Sequence, residues 1–386
     1  MPTTDMKTRV VTIGPGDLDG EAIRAAGRLL DSGQIVAFPT ETVYGLGCVA
    51  EPGPIARLDE VKGRPTEKRY TLHIGDKEQV YQYVPRIGPR ARKLIEHVWP
   101  GPITVVFSLD RHDLQRQKAK LSPGAFSVLY GGGTIGIRCI DNRIGQALLR
   151  RAAGPVVAPS ANRSGEKPAV TAEEVLAAYG GKIAMIVSGP DEQNISGQSS
   201  TVVKVTDTSV SVLRKGAVSL KALEEMSTIK VLFVCTGNTC RSPMAAGLFR
   251  KLLSEKLNCG VDELERVGYI VLSCGLASGG GGVASPHAIE VCRVLGADIS
   301  GHRSRPFDCK EAQECDYIFG MTRQHVDAVV RSCPETADKC VLLDEAGDIS
   351  DPIGGNVEMY RWCAQQIDKA LRKRLGEIWD ENCGSK

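Results

Sequence analysis

The sequence predicts a mixed α/β protein built as two successive domains. Three observations lead there. A chain of 386 residues exceeds the ~100–200 residues of one ordinary domain and gives each half enough length to bury a core. Strand-length apolar runs alternate with amphipathic helical stretches along both halves. The cysteines are unevenly shared: of 13, only Cys48 and Cys139 precede residue 226, as expected if two halves have different origins.

In the first half, runs rich in β-branched and aliphatic residues occupy 34–38, 104–109, 136–140, 156–158 and 201–205, with helical patterns between several of them. After Leu213-Arg214-Lys215-Gly216 comes a polar, helix-prone piece at 219–227, then a buried-strand signal at 230–234. The boundary therefore falls near 220–228, giving domains at 1–222 and 228–386. Met226-Ser-Thr directly before a strand looks like the start of an independent protein, so the chain reads as a fusion. Further strands at 270–273, 317–320 and 339–343 alternate with helices, as in a parallel α/β sheet. The glycine run at 279–282 reads as a loop.

Composition narrows the class. With 48 Lys+Arg against 46 Asp+Glu and 42% hydrophobic residues, the chain is an ordinary globular one; disorder and collagen are excluded. A net charge of +2 argues against nucleic-acid binding by bulk electrostatics alone. No apolar run approaches the ~18 residues that span a bilayer, and the start carries no signal core, so a cytoplasmic protein with no membrane partner is expected. The scattered cysteines contain no CxxC pair, which points to reduced thiols and no structural metal.

The second half opens with Cys235-Thr-Gly-Asn-Thr-Cys240-Arg241-Ser242-Pro243, running from an apolar strand through a tight loop into a helix whose first turn holds Pro243. Unpaired N–H groups and the helix dipole make such a loop attractive to a phosphate dianion, and Gly237 is the position expected to let the backbone curl around it. Arg241 offers a planar fork for two phosphate oxygens. A free thiol is only a few per cent ionised at neutral pH, but helix ends and cations lower thiol pKa values to about 3.5–7.5. Cys235 is thus the candidate nucleophile, with the Ser242 hydroxyl placed to stabilise its thiolate. Protonating a leaving group needs an acid, and Asp351, followed by Pro352, is the candidate.

These residues resemble the low-molecular-weight phosphotyrosine phosphatase family over about 229–375, with Ser273-Cys-Gly275, Pro286-His-Ala288, His302-Arg-Ser304 and Met321-Thr322 in the family's order. The resemblance implies a parallel four-stranded α/β domain with a phosphate-binding loop formed by Thr236, Gly237, Asn238, Thr239 and Cys240, and catalytic roles for Cys235, Arg241, Ser242 and Asp351. Asn238 would brace the loop, and Cys240 could trap an oxidised Cys235 as a disulfide. Thr239 and Ile353 resemble the protein-arginine phosphatase branch, which leaves phosphotyrosine and phosphoarginine both open as the phosphorylated protein substrate. Arsenate reductase, or an inactive phosphate-binding or redox-sensing module, is the rival reading.

In the first half, Pro39-Thr40-Glu41-Thr42-Val43-Tyr44-Gly45-Leu46-Gly47, Lys62-Gly63-Arg64-Pro65 and Pro159-Ser160-Ala161-Asn162-Arg163-Ser164-Gly165 look like ligand loops at strand ends. Small hydroxyls and glycines allow close backbone approach, while Lys62, Arg64 and Lys68 offer fixed charge to a triphosphate. Thr134-Ile-Gly-Ile-Arg138 ends in a guanidinium suited to a carboxylate.

Together these segments resemble the threonylcarbamoyl-adenylate synthase (YrdC-like) family over 22–216. The resemblance implies an open twisted α/β sheet with a concave basic face. It also implies condensation of L-threonine, bicarbonate and ATP, accompanied by Mg2+, to threonylcarbamoyl-AMP and pyrophosphate for the tRNA-threonylcarbamoyl transferase machinery, with no permanently bound cofactor. Thr42, His73 and Arg138 would hold threonine; Lys62, Arg64, Lys68, Thr134, Ser160, Asn162, Ser200 and Arg214 would hold ATP. Ser199-Ser200-Thr201 and Arg214-Lys215-Gly216 depart from the family's usual Glu-Ser-Thr and Arg-Pro-Gly. The rival for this half is a double-stranded RNA or tRNA binding module.

Overall fold

The computed structural model describes residues 7–63, 69–163 and 165–380. Ten strands form the first sheet: β1 (Arg9–Thr12), β2 (Val36–Phe38), β3 (Gly45–Val49), β4 (Thr71–Ile74), β5 (Ile103–Ser108), β6 (Thr134–Cys139), β7 (Val156–Val157), β8 (Met185–Ser188), β9 (Thr201–Val205) and β10 (Val210–Arg214). Their order is β1-β8-β2-β3-β7-β4-β6-β5-β9-β10, a mixed and open α/β sheet. It combines parallel pairs such as β4 with β6 and antiparallel pairs such as β3 with β7. The apolar runs expected to be strands are strands here because they are buried, many on both faces; β2 and β3, for example, are buried at every residue. The PTETVYGLG segment does more than form a loop, since its last residues enter β3.

The second sheet holds β11 (Ile229–Cys235), β12 (Tyr269–Gly275), β13 (Tyr317–Gly320) and β14 (Cys340–Leu342) in the order β12-β11-β13-β14, all parallel. Helices cover both faces. Phe233, Phe249 and Phe319 meet at the centre of one apolar layer, while Val234, Ile318 and Val329 belong to the other. Among the described residues, no helix is long and apolar enough to cross a membrane.

The two sheets meet along the helix Pro89–Val98, which packs against the helix Leu220–Ser227 and the start of β11, an interior strand of the second sheet. Arg90 is the central contact. Its guanidinium is buried and donates to the Ser227 carbonyl at 3.3 Å, the Ser227 hydroxyl at 3.0 Å and the Val267 carbonyl at 2.8 Å. Gly268, at φ +89°, leaves room for it: a Cβ there would lie 2.5 Å from the guanidinium carbon. Lys93 reaches the Thr228 carbonyl and Asp316, and Trp379 donates its indole N–H to Asp207 at 3.1 Å.

One expectation fails. The cysteines are not all free thiols: Cys309, at the start of the helix Cys309–Glu314, is disulfide-bonded to Cys333, just after the helix Arg323–Ser332. The cause is tertiary. Those helices pack over a shared apolar layer of Ala312, Cys315, Val326 and Val329, which brings the two Cα atoms to 5.7 Å, inside the range a disulfide needs.

Candidate active sites

Strand pairing assembles the first site. β4 and β6 lie in parallel register with His73 opposite Arg138, and Gly45 bridges Ser160, so segments far apart in sequence open onto one cavity of about 280 Å3. Thr42, His73, Arg138, Lys62, Ser160, Asn162, Ser200 and Arg214 all line it. Thr134 does not; it accepts a hydrogen bond at 2.6 Å from Arg69, a lining residue that sequence reasoning passed over. Arg64 and Lys68 lie outside the described residues.

The turn before β3 is fixed by Thr40, whose hydroxyl accepts the N–H groups of Thr42 and Val43 at 3.2 Å and donates to the Val43 carbonyl at 2.6 Å. That presents the Thr42 hydroxyl to Arg138, which donates to it at 2.7 Å and to Glu41 at 2.8 Å. Arg138 is buried, and its Nε has no hydrogen-bond partner among the described residues. Burial, followed by the Arg138 charge, pushes the His73 pKa down to about 3, so the imidazole is neutral at physiological pH. Burial, and then the charge of Arg138, also lowers the pKa of Arg214. Two guanidiniums that repel across a pocket suit an anionic guest. The Lys62 ammonium, at the cavity wall, also donates to the carbonyls of Ser160 and Asn162 and braces that loop. Asn162 ties the same loop to the carbonyls of Arg163 and Glu166 at 2.8 Å.

The second site lies where β11 ends and the helix Arg241–Leu257 begins. Cys235 is 3% exposed; its Sγ accepts the Asn238 N–H at 3.2 Å and lies 3.0 Å from the Ser242 hydroxyl. The left-handed residue that turns the loop is Asn238, at φ +56°, whereas Gly237 needs no positive φ. Glycine is required instead at Gly275, where a Cβ would come within 2.7 Å of the Thr236 carbonyl and 2.9 Å of the Asn238 nitrogen.

Asn238 is fully buried and holds the loop from four sides. Its amide donates to Ser242 at 2.9 Å and Ser273 at 3.0 Å, its side-chain oxygen accepts the Arg305 N–H at 2.9 Å, and its carbonyl is 2.8 Å from His302 Nε2. With the Ser242 oxygen already accepting from Asn238, its hydroxyl proton can point at the sulfur. Arg241 donates to Asp351 at 2.5 Å and to the Ile349 carbonyl at 3.3 Å. The Cys240 thiol lies 3.2 Å from the Tyr360 hydroxyl, and Thr239 sits under the 279–282 loop. Thr236 meets His325 Nε2 at 2.9 Å, and His325 Nδ1 meets Thr322 at 2.8 Å. Burial, then Arg241, pushes the His325 pKa down to about 4. His325, Arg305 and Tyr360 were not singled out from sequence.

A family model described as "Telomere recombination", the Sua5, YciO and YrdC group, matches residues 28–216, and one for low molecular weight phosphotyrosine protein phosphatase matches 230–382. The first half is 34% identical over 206 residues to a threonylcarbamoyl-AMP synthase of Pyrococcus abyssi, an alignment covering 53% of this chain and 56% of that protein. The chain thus spans about half the length of the synthase relatives it matches. The second half is 37% identical over 153 residues to a protein-arginine-phosphatase of Geobacillus stearothermophilus, covering 38% of this chain and 94% of the relative. A protein-arginine-phosphatase of Bacillus subtilis is 32% identical, with 38% of this chain and 95% of the relative covered. Through its second half the chain belongs to the low molecular weight phosphotyrosine protein phosphatase family, and its first half is a Sua5/YciO/YrdC domain.

Proposed function

We propose that the chain is a bifunctional enzyme: its first domain condenses L-threonine, bicarbonate and ATP to threonylcarbamoyl-AMP and pyrophosphate, and its second hydrolyses phosphoarginine in proteins through a phosphocysteine. The observation that carries the second activity is the Cys235 sulfur held at a helix N-terminus by the Asn238 N–H and the Ser242 hydroxyl, beside an Arg241–Asp351 pair. A phosphoryl group entering the loop takes the backbone N–H groups and the Arg241 fork, which releases Asp351 from its ion pair, and the Cys235 thiol proton passes to the freed carboxylate. Sγ then attacks phosphorus. The bond to the leaving nitrogen breaks with its electron pair, and Asp351 supplies the proton that makes a neutral leaving group. Water next attacks the phosphocysteine, Asp351 takes its proton, and the sulfur leaves as the thiolate, stabilised by Ser242. Thr239 in the phosphate loop, and the names of the two phosphatase relatives, favour phosphoarginine over phosphotyrosine.

In the first domain, Arg138 and Thr42 offer charge and a hydroxyl to the threonine carboxylate, and Arg214 with Ser200 faces the nucleotide phosphates. Neutral His73 presents a donor or acceptor without adding charge. Proximity is the main catalytic resource, because the threonine carbamate must meet the α-phosphate. Among the described residues the cavity lining supplies hydroxyls and cations rather than carboxylates, a donor set for phosphates; Mg2+ therefore belongs with ATP as part of the substrate. The product would pass to the tRNA-threonylcarbamoyl transferase machinery.

Two assays on the full chain test this reading. Pyrophosphate release should require threonine, and Cys235→Ser should spare it while abolishing hydrolysis of a phosphoarginine peptide. Release that ignores threonine omission counts against the first activity. A faster rate on a phosphotyrosine peptide would reassign the second substrate. Weak phosphate-driven RNA binding, steeply lost with salt, is what the rival module would show instead.

A further inference from the structure

We propose that the Cys309–Cys333 disulfide is a redox clamp on the phosphate loop, opened by a dithiol reductant. The inference rests on the phosphatase reading of Cys235, but uses neither Cys235 nor Cys240. The bond joins the two elements that brace the loop. On one side, Cys309 begins the helix that carries Glu311; Glu311 accepts from the Arg305 guanidinium at 2.7 Å, which also donates to the Ser273 carbonyl at 2.8 Å, while the Arg305 backbone N–H donates to the Asn238 side chain at 2.9 Å. On the other, Cys333 follows the helix whose first turn holds His325 against Thr236. Asn238 and Thr236 are two residues apart in the loop, so each brace ends within the anion site itself.

Access and surroundings fit a switch better than a permanent staple. Cys309 is partly exposed and Cys333 is buried, so a reductant approaches from the Cys309 side. Ten other described cysteines are free thiols, including Cys274, Cys315 and Cys340 in the apolar layer beneath the bond. Where the other described cysteines are free thiols, a disulfide such as this one is more often a sensor than a framework. The chemistry balances. A reductant thiolate attacks Cys309 Sγ, and the S–S electron pair leaves on Cys333 Sγ, which takes a proton. The second reductant thiol then attacks the mixed disulfide, frees the Cys309 thiol and closes the reductant's own disulfide. Two electrons pass from the dithiol to the protein.

Opening the bond lets the helices Cys309–Glu314 and Arg323–Ser332 move independently, which loosens the Arg305 and His325 braces together. The full chain, air-oxidised or reduced with dithiothreitol and freed of reductant under nitrogen, would be mapped by alkylation and mass spectrometry. Each form would then be titrated with inorganic phosphate by calorimetry and assayed with p-nitrophenyl phosphate. The cross-linked form is expected to bind phosphate about threefold to tenfold more tightly, with kcat/KM shifted in parallel. The double variant Cys309→Ser/Cys333→Ser should match the reduced form under both treatments. Absence of the Cys309–Cys333 cross-linked peptide after oxidation would overturn the proposal. So would equal phosphate affinity in the two mapped wild-type forms, a comparison that does not depend on the variant folding. A chain inactive on p-nitrophenyl phosphate and on a phosphoarginine peptide alike, yet tighter for phosphate when cross-linked, would support the clamp and sink the phosphatase reading.

Discussion

Replacing Asn238 with alanine removes the centre of the phosphate loop. Three side-chain hydrogen bonds disappear, to Ser242, Ser273 and the Arg305 N–H. At a net ~1 kcal/mol each, with ~1–3 kcal/mol more for the part-buried Arg305 N–H left without its acceptor, the loop loses about 4–6 kcal/mol of local support. Alanine also tolerates the left-handed φ of +56° less well than asparagine. If about half of that loss is felt in phosphate binding and the transition state, kcat/KM falls roughly 30- to 150-fold at ~1.4 kcal/mol per decade. The assay is p-nitrophenyl phosphate hydrolysis, with inorganic phosphate as competitive inhibitor. The inhibition constant should rise along with the loss of rate, and threonine-dependent pyrophosphate release should not change. A variant whose kcat/KM and inhibition constant both stay within about twofold of the parent would refute the bracing role.

Other consequences follow from single contacts. Arg90→Met strips three hydrogen bonds from the junction between the sheets and should cost about 3–5 kcal/mol; calorimetry should show a lower, broader transition, and an unchanged one would mean the junction is loose. Arg138→Lys, which gives up the planar fork, should raise KM for threonine about tenfold or more while phosphatase rates stay constant, as parallel assays would show. His325 has a folded pKa near 4 against an ordinary 6.5, so the folded state disfavours its protonation. Its contribution is complete above about pH 6.5 and is lost as the pH falls towards 4; His325→Gln should flatten that part of the stability–pH curve measured by urea titration.

Much of the second site was legible because its chemistry is local. Cys235, Arg241 and Ser242 lie within eight residues at a strand-to-helix turn, and Asp351 is marked by the proline after it. His325, Arg305 and Tyr360 were not, because each reaches the loop through helix packing that carries no spacing signal. The disulfide was hidden for the same reason: 24 residues separate its cysteines, and only the packing of two helices brings them together. In the first domain the runs around β5, β6 and β9 were readable from β-branched residues, whereas β3, with the sequence GLGCV, has too little β-branching to stand out. Gly237 was the obvious candidate for the loop's tight turn, but Asn238 adopts it because its side chain satisfies partners a glycine could not.

The most direct test of the cysteine-in-a-loop account is to trap its intermediate. In full-length Asp351→Asn, p-nitrophenyl phosphate can still form the phosphocysteine, since p-nitrophenolate leaves without an acid, but water attack is slowed. Acid-free quenching and mass spectrometry should find one phosphoryl group per chain, on Cys235. Phosphate on Cys240 or elsewhere, or a steady-state turnover with no protein-bound phosphate at any time, would contradict it.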